Sequence, residues 1–454
     1  MVDLEYIAAK ALEDPNADAL KLIAAQYKFA KNYDDDTALK FAKQVISEVL
    51  SSRRRSKDHL VDRLMSTLPS GVKAGEAGMG SRGSGDFTIH TMIAKLAHSA
   101  NIHSKIPVIL DPADHDDAGA VLYGSTVVYA AVDGAHSRLS SFPFLMGFHD
   151  ARAALRDVCV KGSQPVALVD DVHLADDGDV AKVFEFVAGV SAVAEATGVP
   201  LVSGSTLRVG GDMVLGDRLV GAVCAVGVSK KGPVNQRSML KQGDAVLMTE
   251  GAGGGTVAAT AIYSGRPHVV KETLNIDFYH ASQILGDRKK LPDVHCITDV
   301  TNGGIRGDLQ SIAESSRVKI ILDNDSVFSM IRRPVLEMLE QLKIDPLGLA
   351  LDSLMGFMPP EQAFKAQDML TAAGIRSAIV GKVEKGRGCY LVGKRGSAIR
   401  LLPKFRESAY TGLKKLVEES SPRTFNSLDD RLTKALAESM SKKKAVLEYL
   451  NSHK

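Results

Sequence analysis

Cysteine is scarce in this chain and scattered. Cys159, Cys224, Cys296 and Cys389 stand far apart with no CxxC pair, which argues against a structural zinc site and suits thiols kept reduced in a cytosol. Net charge is nearly absent as well: 56 Lys+Arg face 54 Asp+Glu, leaving +2. That balance creates no field to draw nucleic acid or an anionic membrane surface. The one compact basic run, Arg53–Arg54–Arg55 with Lys57, reads as a solvated helix face. No apolar stretch approaches the ~20 residues that span a bilayer, and Met1–Leu20 carries acids where a secretory leader would be apolar. No GK[ST] closes a phosphate loop, no repeat has solenoid length, and no tract is of low complexity. A cytoplasmic protein is expected, with neither nucleic acid nor membrane as partner.

What is present is an ordinary globular composition, 45% apolar over 454 residues, enough for more than one core. Residues 1–70 read as helical: Leu20, Ile23, Ala24 and Tyr27 recur at helical spacing, as do Leu39, Ala42, Ile46 and Val49. Asp34–Asp36 between them reads as a helix start. Glycine then takes every second or third place from Gly71 to Gly85, and a helix follows near Asp86 with Ile89, Met92, Ile93 and Leu96 on one face. From about Ile106, β-branched runs alternate with amphipathic helices. Strands are expected at Ala118–Leu122, Thr126–Val132, Val166–Val169, Pro200–Val202 and Arg218–Val228, with helices at Phe148–Val158 and Val180–Ala196. After a break at Ser229–Gly232 the same texture resumes, with strands at Ala245–Thr249, Lys319–Leu322 and Asp352–Met358. The tail from about Lys404 reads as polar and helical.

Two glycine clusters match nucleotide-loop patterns by letter. Gly78, Gly80 and Gly83 satisfy GxGxxG, but no strand precedes them as a dinucleotide fingerprint requires. They read as a mobile flap ending at a helix N-terminus, whose amides and dipole suit a phosphate; a plain linker is the alternative. Gly251, Gly253, Gly254 and Gly255 do follow a strand, with either close packing or a phosphate contact as their role. The aspartates are more informative. Asp111, Asp114, Asp116 and Asp117 crowd one strand entry around His115, Asp133 ends the next strand ahead of Gly134 and His136, and Asp157 sits late in an apolar helix. There a carboxylate opposes the helix dipole, so a cation should compensate it. Carboxylates on several element ends are what magnesium takes, along with water and phosphate oxygens.

In order along the chain, the flap, His115-Asp116-Asp117-Ala118-Gly119-Ala120-Val121 and Val132-Asp133-Gly134 resemble the aminoimidazole ribotide synthetase superfamily. So do Arg156-Asp157-Val158 with Gly162-Ser163-Gln164-Pro165, Pro200 to Thr206, Lys241–Asp244 with Thr249–Gly251, and Thr298-Asp299-Val300-Thr301-Asn302-Gly303-Gly304-Ile305. Its members include thiamine-monophosphate kinase, selenophosphate synthetase and a carbamoyl-dehydrating hydrogenase maturation factor. The resemblance implies an α/β fold of α+β layers, PurM-like and two-domain, with helical extensions at both ends. The limits would be 1–70 for the first extension, 71–230 for an ATP-binding and dimerising domain, 231–403 for a second α/β domain and 404–454 for the tail. It implies ATP and Mg2+ as cofactors and a homodimer.

By residue, the resemblance implies Asp116, Asp117, Asp133, Asp157 and Asp299 as metal ligands and Asp133 and Asp157 as the catalytic pair. Gly78, Gly80, Arg82, Gly83, Asp117, Asp157 and Thr206 would bind ATP. Two departures stand out. Ser205 occupies a place where the family has Asp, His or Glu, and Cys159, Val160 and Lys161 stand after Asp157 where many members have small residues. Lys161 reads as a surface lysine, or else as a phosphate contact. The flap lacks the cysteine and lysine of selenophosphate synthetases, and the chain ends Asn451-Ser452-His453-Lys454 without the maturation factor's cysteine. The expected activity is phosphorylation of an oxygen on a small or protein-borne substrate. The alternatives are a non-catalytic nucleotide-binding or assembly protein, and a selenophosphate synthetase-like or thiamine-monophosphate kinase-like activity.

Overall fold

The computed structural model describes residues 1–452 other than 135–136, 302, 394–395, 408 and 418–424. His136 and Asn302, both within the motifs above, lie outside the described residues. The chain begins with a two-residue strand, β1 (Val2–Asp3), and helices α1 (Leu4–Glu13), α2 (Ala19–Lys31) and α3 (Asp35–Ser52). Each helix starts on an aspartate whose carboxylate accepts a backbone N–H three residues on: Asp3 at 2.9 Å, Asp18 at 3.0 Å and Asp34 at 2.7 Å. Their apolar faces form a separate small core of Leu4, Ile23, Tyr27, Ala42, Val45 and Val49. Helices α4 (His59–Met65) and α5 (Ser84–Asn101) flank the glycine-rich segment.

The first sheet holds β2 (Val108–Leu110), β3 (Gly119–Tyr123), β4 (Thr126–Gly134), β5 (Gln164–Leu174), β6 (Leu201–Arg208) and β8 (Leu219–Lys230), in the order β2-β3-β4-β8-β5-β6. The short β7 (Val214–Leu215) pairs with β1 instead and ties the N-terminal helices to this half. All neighbours are antiparallel except β5 and β6, which a crossover through α7 (Ala181–Thr197) joins, as parallel strands require. Helix α6 (Pro143–Val160) packs beside α7. Val127, Tyr129 and Ala131 of β4 are buried, while Val132 is 67% exposed; alternation of this kind marks a sheet covered on one face. Val166 and Val202 are exposed as well, and every β6 residue after Leu201 is exposed.

The second sheet runs β10-β12-β9-β13-β11-β14-β15. Its strands are β9 (Ala245–Thr249), β10 (Cys296–Asp299), β11 (Val318–Asp323), β12 (Leu354–Met358), β13 (Ser377–Lys385), β14 (Gly388–Val392) and β15 (Ala398–Arg400). Every residue of β9, β10 and β12 is buried, so these strands are covered on both faces. Helices α8 (Gly255–Tyr263), α9 (Asp277–Leu285) and α10 (Gly304–Ser315) belong to this half, and one continuous apolar core runs through both sheets.

The expected strands Val166–Val169 and Pro200–Val202 extend to Leu174 and Arg208. Polar residues on the open face and edge, among them Asp171, His173 and Ser203–Thr206, had disguised their length. Asp352 lies outside β12, in a left-handed turn at φ +56°. No described helix is long and apolar enough to cross a membrane.

Candidate active site

Of the four aspartates ahead of β3, two build a turn, and Asp111 also fastens it to α5 through His98 and Asn101. Asp111 accepts the Ala113 N–H at 2.9 Å, and its own N–H donates to Asp114 Oδ2 at 2.7 Å. His115 closes the turn at φ +52°. The next two carboxylates, Asp116 and Asp117, then point into the seam between the sheets.

There they meet two cations. Lys161 Nζ pairs with Asp116 and stands 2.6 Å from Asp117 Oδ2. Arg237 pairs with Asp117, and its backbone N–H donates to Asp116 Oδ2 at 2.9 Å. Thr298 Oγ1 lies 3.2 Å from both Asp117 oxygens. Lys161 is therefore not a surface lysine: it is 1% exposed. Burial pushes the Asp117 carboxyl up, but Arg237 and Lys161 outweigh it and hold it below the usual range.

Helix α6 supplies a second ionic cluster. Arg156 Nε reaches Asp299 Oδ2 at 2.5 Å, and its Nη1 reaches Asp352 Oδ2 at 3.0 Å. Arg152 Nη1 adds a contact to Asp352 at 3.3 Å. These pairs are almost wholly buried and join the first half of the chain to the second. Two arginines acting on Asp352 overcome its burial and hold its carboxyl low.

Asp133 and Asp157 differ. Among the described residues neither has an ion pair. Burial pushes the Asp133 carboxyl up to about 6; Arg156 and Arg82 oppose the rise, and Asp299 and Asp352 add to it. Asp157 is driven well above the usual range by burial and by the nearby Asp299, with Arg156 opposing and Asp133 and Asp117 adding. The compensating cation expected beside Asp157 is thus no bonded partner; Arg156 acts on it only through the field.

The glycine segment is already engaged. Gly80 and Arg82 donate their N–H groups to the buried Asp86 carboxylate at 2.9 and 3.0 Å. Ser84 N–H donates to Lys404 O at 2.9 Å, Gly85 N–H to Phe405 O at 3.3 Å, and Glu407 N–H to Ser81 O at 2.9 Å. A side chain at Gly83 would stand 2.3 Å from Phe405 O, so glycine is needed there for close approach. Gly78 and Gly80 take φ of +72° and +70°, and Arg82 takes +62°. The second cluster packs closely too: a Cβ at Gly254 would meet Asp352 Oδ2 at 2.2 Å. Its neighbour is the 351–353 turn.

A cavity of about 750 Å³ opens between the halves, a size suited to a small ligand. Asp116, Asp117, Asp157, Arg237 and Asp308 give it a polar wall, and Phe87, Ile93, Ala94 and Leu402 an apolar one. Of the α5 face expected to carry Ile89, Met92, Ile93 and Leu96, Ile93 is 55% exposed and lines this cavity. Asp308 accepts the Thr301 and Gly303 N–H groups at 3.0 Å each, and burial pushes its carboxyl up to about 7. The structure brings together Asp116, Asp117, Asp157 and Asp299, with Asp133 close enough to act on Asp157. Ser205 and Thr206 do not join them; they lie on the exposed edge strand β6.

Sequence reasoning passed over Arg237, Asp308, Arg152 and Asp352. Asp308 carried a signal, a carboxylate inside the apolar stripe Ile305, Leu309, Ile312. Arg152 and Arg156 carried another, spaced one helical turn apart beside Ala151 and Leu155. Arg237 sits in a connecting segment with no pattern to mark it.

Residues 115–228 match the family model "AIR synthase related protein, N-terminal domain", and residues 241–394 match its C-terminal domain. The uncharacterized protein MJ1416 of Methanocaldococcus jannaschii is 45% identical over 100% of this chain and 99% of its own length. Carbamoyl dehydratase HypE of Azotobacter vinelandii is 26% identical over 50% of this chain and 67% of its own. Among solved structures, a HypE–HypF complex superposes at TM-score 0.55 with 18% identity, over 68% of this chain and 98% of that one. HypE in complex with ATP superposes at 0.52 with 21% identity, over 62% and 86%. At these identities the superpositions speak for the fold.

Proposed function

Because the chain belongs to the AIR synthase related protein family, whose relatives include ATP-using enzymes, we propose that it is an ATP- and magnesium-dependent phosphoryl-transfer enzyme. It phosphorylates an oxygen on a small-molecule or protein-borne acceptor. The observation that carries this reading is Asp157: a carboxylate on the cavity wall, without a bonded cation, beside Asp133 and Asp299.

Magnesium fits that side of the site. It takes one or two carboxylates and completes its shell with water and phosphate oxygens, so no finished cage of protein ligands is needed. No such cage of three or more His, Cys, Asp or Glu side chains exists among the described residues. Asp133 and Asp157 would hold the ion, with Asp299, named with them by the resemblance, held beside them by Arg156; the ion's charge would neutralise the transferring phosphoryl group. The chain's own part is positioning and charge. Asp133 and Asp157 orient the reacting end, and Arg237 adds positive charge on the cavity wall. Phe87, Ile93 and Leu402 offer an apolar surface to the base. Gly78, Gly80, Arg82 and Gly83 would be the contacts that the glycine segment offers to the triphosphate.

The open face of the first sheet, with Val132, Val166 and Val202 exposed, supports a homodimer. In that assembly β6 with Thr206 would meet the second copy, which removes an exposed sheet edge. Light scattering at micromolar concentration checks this, and a monomer rejects it. The reading as a non-catalytic descendant drew on Ser205. That residue lies on the open edge strand, so its identity takes no carboxylate from this chain's own cavity.

Calorimetry tests the central claim. Asp133→Asn and Asp157→Asn should fold and lose magnesium-dependent ATP binding. Unchanged affinity in both would end the assignment, and ATP binding without magnesium-dependent hydrolysis by the unmodified protein would favour the non-catalytic reading.

A further inference from the structure

All four oxygens of the Asp116–Asp117 pair already have partners. Asp116 Oδ1 holds Lys161 Nζ, and Asp116 Oδ2 accepts the Arg237 backbone N–H at 2.9 Å. Asp117 Oδ1 holds the Arg237 guanidinium, and Asp117 Oδ2 lies 2.6 Å from Lys161 Nζ. The Lys161 side chain is 0% exposed, and the two carboxylates are 3% and 2% exposed. A free divalent ion at this pair would have to displace an ammonium that has no route to water and would be left buried without counter-charge, a costly outcome. The backbone N–H from Arg237 cannot be exchanged for a metal ion either, because it belongs to the connection between the sheets.

We propose that Lys161 and Arg237 are resident cations that fill the role of a divalent ion at Asp116–Asp117, so that this pair is closed to free metal. The proposal narrows the magnesium assignment above and rests on it only for the carboxylates that remain open, Asp133 and Asp157. The buried ammonium of Lys161 then has a function of its own. It supplies a fixed charge in place of an exchangeable ion, behind the Asp116 and Asp117 carboxylates that line the cavity.

The test counts bound Mn2+ by electron paramagnetic resonance, in protein without nucleotide. The unmodified protein and Asp117→Asn should bind the same number of ions. Lys161→Met, which removes the ammonium at similar volume, should gain one ion per chain, and the double variant Lys161→Met/Asp117→Asn should lose that gain. A missing site in Asp117→Asn alone would overturn the proposal, as would a folded Lys161→Met that gains none. If Lys161→Met does not fold, the comparison of the unmodified protein with Asp117→Asn still decides: equal counts support the proposal and a loss rejects it. Because no nucleotide is present, failure of ATP binding elsewhere leaves these counts readable.

Discussion

The carboxylates of the seam fall into two groups that look alike in sequence and differ in electrostatics. Asp116, Asp117, Asp299 and Asp352 are locked to Lys161, Arg237, Arg156 and Arg152. Asp133 and Asp157 have no such partner among the described residues, and their carboxyls are pushed upward. Locked pairs give the seam its geometry, since each charge is buried and intolerant of losing its mate. The unlocked pair leaves Asp157 on the cavity wall without a bonded cation, with Asp133 acting on it. A site for a polyanion and its cation needs both: a rigid frame and a charge that invites an exchangeable ion.

The largest effect should come from breaking the locked side. Arg156→Met would leave Asp299 and Asp352 short of a cation at once, with an expected loss of about 3–5 kcal/mol in urea denaturation. A loss below about 1 kcal/mol would mean the halves are held by apolar packing alone.

A smaller effect belongs to Arg82, whose charge acts on Asp133 and Asp352 from the glycine segment. Arg82→Ala should fold normally and weaken ATP binding by about 1–3 kcal/mol, the range for a lost charge-assisted hydrogen bond. Unchanged affinity would separate the segment from the nucleotide site.

The smallest effect sharpens the contrast through pH. Burial pushes the Asp133 carboxyl up to about 6 from its ordinary value of 3.8, so the native state keeps this proton longer. Its contribution to stability therefore falls as pH rises from about 4 to about 6 and stays low above that. In metal-free protein, Asp133→Asn should flatten this part of the stability profile and raise stability by about 1–2 kcal/mol above pH 6, allowing for solvent screening. A profile parallel to that of the unmodified protein would place Asp133 in water.

Element types were legible where periodicity was strong: α2, α6, α7 and β9 follow their apolar spacing closely. Strand ends were less legible where polar side chains face an open sheet, as in β5 and β6. At the site, the acids could be read because aspartates at strand and helix ends are conspicuous. Their counter-ions could not. Arg237 arrives from a connecting segment 120 residues beyond Asp117, and Lys161 looked like any lysine at a helix end. Burial of a long charged side chain depends on what the rest of the chain brings to it. The glycine segment taught the reverse lesson. Its composition suggested free amides, yet they are held by Asp86 close by and by residues 404–405 far along the chain.

That distant hold has a consequence for biosynthesis. The Arg406 guanidinium donates to Gly75 O across 331 residues, and the helix Phe425–Ser452 is fastened to α4 and α5 through Arg63–Glu438 and Lys443–Ser99. A nascent chain emerging from the ribosome carries all its cluster aspartates, the last of them Asp352, before the C-terminal segments of this clasp are made. Contacts of such sequence separation form late. A translation product truncated before residue 400 would carry the acids but leave the glycine segment without the partners that close it.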